Sequence, residues 1–150
     1  MAALRAVIRK SAITTGTALK TLLQLIAPAN QRLKILEIGI GFHGVVNTNQ
    51  PIQVDLVRQS TAGTMTSLTA VPIDEDTTET PQATAGHTAT VEPTAGNVLA
   101  TWPIHPQTAM IYTFPKGDEI VVKGGSRLGL CCTVLDGNST TADVYIKYEE

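Results

Sequence analysis

The stretch of residues 32–44, RLKILEIGIGFHG, constrains the fold most, because it contains the longest apolar run of the chain. It has two incompatible interpretations. In the first, a short buried strand over residues 34–38 leads into a glycine-rich turn, and a helix begins at Gly44. In the second, the whole stretch is one long strand, and Gly39 and Gly41 mark a place where another part of the chain approaches the backbone closely. The residues that follow distinguish the two.

The spacing of Gly39, Gly41 and Gly44 matches the glycine fingerprint of dinucleotide-binding folds, and with Glu37 it also resembles the first motif of S-adenosylmethionine-dependent methyltransferases. Such a site needs a helix after the last glycine, because the free N–H groups of the helix N-terminus hold the ligand. Residues 45–51, VVNTNQP, disfavour a helix through their β-branched residues, asparagines and proline. Asp55 also comes too early to be the ribose-binding acid, which is expected about 20 residues after the glycines. We therefore predict a strand, and no cofactor.

Composition agrees with a β-rich domain. The chain has 150 residues, enough for one domain with a proper core, and threonine is its commonest residue, with 22. Hydrophobic residues make up 43% and charged residues 16%, which excludes a disordered chain. No run approaches the roughly 18 apolar residues of a membrane span, so no membrane association is predicted. Cys131 and Cys132 are adjacent and would point to opposite faces of a strand, which fits a reduced pair and assembly in a reducing cytoplasm.

Alternating apolar and polar residues, separated by turn signals, predict antiparallel strands over residues 20–27, 33–42, 51–59, 98–104, 110–114, 119–123, 127–135 and 141–148. The Thr/Ala/Gly/Pro-rich region 60–96 is predicted to be a loop-rich insert with short edge strands over 65–71 and 87–91. This pattern is typical of an all-β, antiparallel β-sandwich with a jelly-roll-like topology. We predict a single domain over 19–150, preceded by an N-terminal arm over 1–18 that is either extended or a short helix over Ala2–Arg9.

Charge is distributed unevenly along the chain. No acidic residue precedes Glu37, whereas six basic residues do: Arg5, Arg9, Lys10, Lys20, Arg32 and Lys34. A basic leading segment indicates either an arm that meets an acidic partner or an ordinary solvated N-terminus. Nucleic acid is not the predicted partner, because six charges over more than thirty residues, without interleaved aromatics, make a thin patch.

No group of residues predicts catalysis or a metal site. His43, His87 and His105 fall in three separate contexts, and none has a second ligand at a metal-binding spacing. The acidic residues 74–76 lack the alternating oxygen ligands and the glycine of a known calcium loop. Trp102 is read either as a core residue or as a platform for stacking a sugar.

Several segments resemble a family of small structural proteins of tailed bacteriophages, the head decoration (cement) proteins. These segments are TLLQLIAP (21–28), LKILEIGIGFHG (33–44), PIQVDLV (51–57), FPKGDEIVVKGGSRLGLCC (114–132) and VYIKYEE (144–150). The resemblance implies a non-enzymatic jelly-roll protein, usually a trimer, that sits on the capsid exterior and bridges neighbouring major capsid proteins. Residues 60–96 are where this chain is expected to differ from such relatives.

The resemblance also assigns expected roles to residues. Arg5, Arg9, Lys10 and Lys20 become candidate capsid contacts. The N-terminal segment becomes an arm laid on the capsid, so that deleting residues 1–17 should weaken shell binding and leave the fold intact. Leu33 and Ile35 become candidates for a subunit interface. The alternative is a receptor- or carbohydrate-binding module of a phage fibre or tail, which would show a shallow cleft at Trp102, Tyr112 or His105.

Overall fold

The computed structural model describes residues 3–44 and 50–150, which form two antiparallel β-sheets packed face to face. Sheet A contains β1 (Arg5–Thr14), β3 (Leu33–His43), β6 (Val71–Pro72), β9 (Ala109–Thr113), β10 (Ile120–Val122) and β12 (Thr141–Glu149). Sheet B contains β2 (Lys20–Ile26), β4 (Ile52–Gln59), β5 (Thr64–Leu68), β7 (Thr84–Val91), β8 (Ala95–Ile104) and β11 (Arg127–Val134).

The order of the strands is that of a jelly roll. Sheet A runs β10-β3-β12-β1-β6, with β9 pairing beside β10 along the same edge of β3, and sheet B runs β5-β7-β2-β11-β4-β8. The long strands cross repeatedly from one sheet to the other along the chain, so that β1, β12 and β3 face β2, β11 and β4. The predicted all-β antiparallel sandwich is therefore confirmed.

The core lies between the sheets and is filled by aliphatic side chains from both inner faces. The largest fully buried side chains are those of Tyr148, Ile8, Leu22, Leu23, Leu25, Leu33, Ile35, Ile38, Ile52, Leu56, Leu128 and Leu130. They come from β1, β2, β3, β4, β11 and β12, so six strands share one core. Burial of this apolar area, worth about 25 cal/mol per Å², is the main term that stabilises the fold.

A β-bulge in β3 changes which of its residues face the core. Lys147 of β12 pairs with Glu37, but the next residue, Tyr148, pairs with Ile35, so Leu36 is an extra residue without a partner in β12. The bulge reverses the alternation, and Leu33 and Ile35 become fully buried on the same side as Ile38. The prediction that Leu33 and Ile35 form a subunit interface is therefore wrong, because both side chains are inside the core of their own chain.

The N-terminal segment is a strand of the sandwich. β1 pairs with β12 from Arg5↔Glu149 to Thr14↔Thr141 and also pairs with β6. Ala6, Ile8 and Ile13 are buried in the core. A bulge between Lys10 and Ile13, where Ala12 has φ 57°, interrupts the alternation and hides the strand from a pattern search. The predicted helix over Ala2–Arg9 is therefore wrong for its described residues. The predicted N-terminal arm over 1–18 is wrong for residues 5–14, which form a strand of sheet A.

The insert at 60–96 extends both sheets. β5 is an edge strand of sheet B, close to its predicted range, whereas β7 lies between β5 and β2 and is an inner strand. The two-residue strand β6 joins the edge of sheet A beside β1. Residues 73–83 are then the longest stretch of the insert outside the strands.

Deletion of residues 1–17 is expected to destroy the fold. The deletion removes β1, uncovers the free edge of β12 and exposes the core that Ala6, Ile8 and Ile13 help to fill. Far-UV circular dichroism and thermal unfolding of the truncated protein measure the effect. A cooperative transition close to that of the full chain would contradict this strand assignment.

Tyr148 allows a second test of the core. Its ring is fully buried and its hydroxyl has no hydrogen-bond partner in the part of the chain that the structure describes. Because an unsatisfied buried hydroxyl costs free energy, Tyr148→Phe is expected to leave the free energy of unfolding unchanged or to raise it by about 1 kcal/mol.

Tyr145→Phe is the matched control, because the Tyr145 hydroxyl donates a hydrogen bond to Glu37 over 2.6 Å. It is expected to lower the free energy of unfolding by about 1 kcal/mol. Denaturant titration of both variants measures the difference. A larger loss in Tyr148→Phe than in Tyr145→Phe would show that the Tyr148 hydroxyl is satisfied.

Candidate functional site

The glycines of the fingerprint pack against side chains of neighbouring strands. A Cβ atom on Gly39 would overlap the ring of Tyr145, and one on Gly41 would lie 3.0 Å from the Cβ atom of Ala109. Both glycines lie within β3, which confirms the predicted close approach. The residues after Gly44 that would begin a nucleotide-binding helix, residues 45–49, lie outside the described residues.

A polar cluster centred on Glu37 occupies the outer face of sheet A. Its carboxylate accepts hydrogen bonds from the Tyr145 hydroxyl (2.6 Å) and the Thr113 hydroxyl (2.9 Å), and Lys147 Nζ lies 3.0 Å from Glu37 Oε1. The hydrogen bonds from Tyr145 and Lys147 lower the pKa of Glu37. Burial and the neighbouring carboxylate raise the pKa of Tyr145 to about 12. The cluster ties β3, β9 and β12 together from the outside.

Further charges on this outer face are paired as well. Arg5 Nε lies 3.7 Å from Glu149 Oε2, and His43 Nε2 lies 3.0 Å from Asp143 Oδ2. The other carboxylate oxygen of Asp143 accepts a hydrogen bond from the Ala12 N–H over 2.8 Å, at the bulge in β1. The outer face of sheet A therefore presents charges of both signs that are mostly matched within the chain.

The four basic residues predicted to contact a capsid do not form one patch. Arg5 and Arg9 are four residues apart on β1 and are both exposed on the outer face of sheet A. Lys10 lies close enough to His87 of sheet B to act on its charge. Lys20 is half-buried and donates a hydrogen bond to the Ala89 carbonyl over 3.1 Å. The structure brings together only Arg5 and Arg9.

The outer face of sheet B carries a buried layer of hydrogen-bonded polar groups. Gln24 Nε2 donates to Gln59 Oε1 (2.7 Å), and Gln59 Nε2 donates to the Thr21 hydroxyl oxygen (3.0 Å). The Glu92 carboxylate accepts bonds from the Thr21 N–H (2.9 and 3.1 Å) and from the Thr21 hydroxyl (2.7 Å). The pairing of β7 with β2 ends at His87↔Leu23. The Thr21 N–H, beyond that end, therefore donates to the Glu92 carboxylate and not to a backbone carbonyl of β7.

The two cysteines are free and buried. Burial raises the pKa of Cys131 to about 11 and that of Cys132 to about 12. Both thiols therefore stay protonated near neutral pH and are weak nucleophiles.

The three histidines lie in different parts of the fold. His43 pairs with Asp143 at the end of β3, and His105 is exposed after β8, where its Nδ1 accepts a bond from the Gln107 N–H (3.2 Å). His87 is half-buried in β7, and burial and the charge of Lys10 lower its pKa. Within residues 3–44 and 50–150, no group of three His, Cys, Asp or Glu side chains is arranged to hold a metal ion.

One side of the sandwich is exposed, apolar and free of charge. Residues 93–115 contain no Asp, Glu, Lys or Arg and include β8 and β9, the edge strands of sheets B and A on this side. The side chains of Val98 (53% exposed), Leu99 (37%), Ile111 (67%) and Tyr112 (40%) are among the large hydrophobic residues most open to solvent. We call the side formed by the edge strands β8 and β9 the lateral face. Val98 pairs with Val57 and Ile111 pairs with Gly39, so their side chains project from the outer faces of sheets B and A at this edge.

Aromatic rings close the gap between the sheets at the lateral face. The ring centroids of Trp102 and Tyr112 are 5.6 Å apart, and those of Tyr112 and Phe114 are 5.0 Å apart. Trp102 and Phe114 are half-buried and pack against the core. The core interpretation of Trp102 is thus correct for part of its ring, while its exposed part joins Tyr112 at the surface.

A groove of about 1010 Å³ runs over the outer face of sheet A near its Arg5 end. Leu36, the extra residue of the bulge, lines it together with Phe114 and Ile73. Its charged lining residues are Arg5, Lys34, Lys116, Asp74, Asp76, Glu79, Glu119 and Glu149. The charged residues that line the groove are therefore of both signs, and the groove is not specific for a cation or an anion.

Comparison with known proteins found no matching family model, no matching curated protein and no matching solved structure. Among the described residues no helix is long and apolar enough to cross a membrane.

The Glu37 cluster generates a prediction about acid stability. A carboxyl group whose pKa is lower in the folded than in the unfolded state stabilises the fold above its unfolded pKa, about 4.3. This contribution is lost as the pH falls through the lower folded-state pKa of Glu37. Glu37→Gln should therefore lower the Tm at pH 7, and the difference from wild type should shrink at pH 3.

Thermal unfolding of wild type and Glu37→Gln between pH 7 and pH 3 measures this effect. Glu75→Gln, at an exposed position in the acidic loop, is the matched control and should follow wild type at every pH. A Tm difference for Glu37→Gln that stays constant over the whole range would contradict the role of the Glu37 charge.

Proposed function

We propose that this protein is a structural component of a tailed-bacteriophage virion, which decorates and stabilises the capsid exterior by bridging neighbouring major capsid proteins. It acts as a homo-oligomer, a trimer as the resemblance to head decoration proteins implies, and makes and breaks no bond. Its place of action is the outside of the capsid after assembly in the host cytoplasm. Support comes from that resemblance, from the jelly-roll order of the strands and from the character of the surface.

The distribution of charge carries the proposal. The charged side chains of sheet A lie on its outer face or at its ends, whereas β5, β7, β8 and β9 contain no Asp, Glu, Lys or Arg. Residues 93–115 are largely exposed in the single chain, although they carry no formal charge. Uncharged, apolar exposed surface of this extent is typical of surfaces that other proteins cover. A protein with such a surface acts through the contacts it makes.

The outer face of sheet A is the proposed contact with the capsid. Arg5 and Arg9 project from it at one end, in a chain whose formal net charge is −2. Exposed arginines of this kind steer association with an acidic partner and fix its orientation, and salt screens their effect. Lys10 and Lys20 do not share this surface, so the proposal assigns them no capsid contact.

Stabilisation of the shell follows from mass action. A protein that binds only the mature, expanded shell lowers the free energy of that state in proportion to its occupancy. An oligomer that engages several capsid proteins at once gains further from the high effective concentration of its remaining sites. No catalytic step is needed for this activity.

Co-sedimentation tests the proposal. The purified protein is mixed with capsids that lack it, and bound protein is measured after centrifugation at low and high salt. Wild type is expected to sediment with the shells. Arg9→Glu should weaken binding by about tenfold at low salt and by less at high salt, because it reverses a charge at the contact.

Lys123→Glu is the matched control, since Lys123 is an exposed residue of the turn after β10 and makes the same change of charge. It should bind like wild type. Wild-type protein that stays in the supernatant with shells of the phage that encodes it would overturn the proposal, and equal losses in both variants would remove the sheet A face from it.

A carbohydrate-binding module of a fibre or tail is the second candidate function. The observation that favours it is the partly exposed pair of Trp102 and Tyr112, since aromatic faces stack on sugars. His105, which follows β8, is exposed as well. Binding on a glycan array that is lost in Trp102→Ala, together with no binding to shells, would favour this candidate.

A further inference from the structure

We infer that copies of this chain meet one another through one end of the sandwich, with that end turned toward the symmetry axis of the oligomer. The partner is a second copy of this chain. The inference deepens the proposed function and takes the orientation on the shell from it, because it names the surface that builds the proposed homo-oligomer. It is tested separately from capsid binding.

Four loops come together at this end, and each joins a strand of one sheet to a strand of the other. They connect β1 to β2, β3 to β4, β8 to β9 and β11 to β12. We call the surface formed by their described residues the loop end; these are residues 15–19, 44, 50–51, 105–108 and 135–140. The loops toward the opposite end of the sandwich are residues 27–32, 73–83, 114–119 and 123–126.

The first observation is that formal charge is concentrated away from the loop end. By sequence, Asp136 is the single Asp, Glu, Lys or Arg of its four loops, and its Oδ1 accepts a hydrogen bond from the Asn138 N–H of the same turn over 2.9 Å. The loops toward the opposite end, together with Glu150, carry three basic and seven acidic residues, a formal charge of −4. The loop end is therefore nearly uncharged, and the opposite end is acidic.

The second observation is that apolar side chains are exposed at the loop end. Leu135 is 55% exposed and Leu19 is 44% exposed. Lys20 pairs with Cys132, so Leu19 precedes β2 at the same end at which Leu135 follows β11, the neighbouring strand. Single exposed leucines are ordinary, but these two share a surface that has almost no charge to solvate it. Their transfer from water into a contact favours association.

The third observation is that hydrogen bonds between the loops make this end rigid. The Thr15 N–H donates to the Thr140 carbonyl over 2.9 Å, and the Thr140 N–H donates to the Thr15 hydroxyl oxygen over 3.0 Å. The Gly16 N–H donates to Ser139 Oγ over 3.1 Å, and the Thr140 hydroxyl donates to the His43 carbonyl over 3.1 Å. A preformed surface loses little conformational entropy on binding, which favours a stable contact.

The distribution of charge identifies the partner as another copy. The opposite end is acidic in every copy, so two copies that met through it would repel each other. Two loop ends meet without this repulsion, and each covers the apolar side chains of the other. A partner with a charged surface would lose the hydration of its own charges and find almost no opposite charge at the loop end.

This contact also fits the orientation of the proposed oligomer. When the outer face of sheet A lies on a shell, the symmetry axis is perpendicular to that face, so only an end or a side of each sandwich can be turned toward the axis. Three copies can bring their loop ends to such an axis, as closed cyclic symmetry requires. Their acidic ends then point outward and are as far apart as the ring allows.

The mass of the full chain in solution tests the inference. Sedimentation equilibrium from micromolar to sub-millimolar concentrations is expected to give a multiple of the 15.9 kDa monomer for wild type. Leu135→Lys places a charge in the contact and should weaken association by about 30-fold or more, the effect of losing an interface hot spot. Ile73→Lys is the matched control, because Ile73 is 49% exposed in a loop toward the opposite end, and it should leave the mass unchanged.

Cysteine labelling locates the contact without adding a charge. Both native thiols are buried, so a soluble thiol reagent reacts with the cysteine introduced in Leu135→Cys or Ile73→Cys. The labelling rate of Leu135→Cys should fall in proportion to the fraction of monomer as the concentration rises, whereas that of Ile73→Cys should stay constant. Circular dichroism confirms the fold of each variant, and Leu19→Lys replaces Leu135→Lys if that variant does not fold.

Three results would overturn the inference: a monomeric wild type over the whole concentration range, an oligomer that a folded Leu135→Lys leaves intact, or an oligomer in which Leu135→Cys is labelled as fast as in the monomer. A monomeric wild type that still sediments with shells overturns this inference and leaves capsid decoration in place. A wild type that forms the oligomer through the loop end but does not bind shells supports this inference and contradicts the proposed function.

Discussion

The structure depends on the insertion of β12 between β1 and β3. This pairing joins residues 5–14 to residues 141–149 and then to residues 33–43, so the central strands of sheet A are brought together from distant parts of the chain. Ile146 and Tyr148 of β12 carry the core side of this sheet, and Tyr145 and Lys147 hold Glu37 on its outer side. One strand thus supports both the packing of the core and the charged outer face. A fold built on contacts this remote in sequence is expected to form slowly compared with a helical domain.

The two sides of the molecule follow from this arrangement. The inner face of sheet A packs against sheet B. Its outer face holds ion pairs that are partly exposed to water, such as Arg5–Glu149. On the outer face of sheet B, the buried polar side chains are hydrogen-bonded to one another: Gln24 donates to Gln59, and Glu92 accepts from Thr21. The lateral face differs from both, since its apolar side chains have no cover within the described chain.

Strands with clean alternation could be predicted from sequence, and β2, β4, β11 and β12 lie within two residues of their expected ranges. The errors come from single extra residues. The bulge at Leu36 moved Leu33 and Ile35 from the expected interface into the core, and the bulge near Ala12 concealed β1. A bulge leaves no reliable sequence signal, because it depends on the partner strand. The scattering of Arg5, Arg9, Lys10 and Lys20 has the same origin, since their positions depend on which strands pair. The lateral face had a readable signal, the absence of charge from residues 93–115, but only the topology shows that β8 and β9 are edges on the same side.

The two adjacent thiols have a consequence for the durability of the molecule. Cys131 lies beneath the Glu92 and Gln59 layer and Cys132 lies within the core, so soluble oxidants reach neither sulfur atom, and neither forms a thiolate near neutral pH. Transfer from reducing to oxidising surroundings is therefore expected to form no disulfide in this chain. The fold is therefore held by packing and hydrogen bonds, with no disulfide among the described residues.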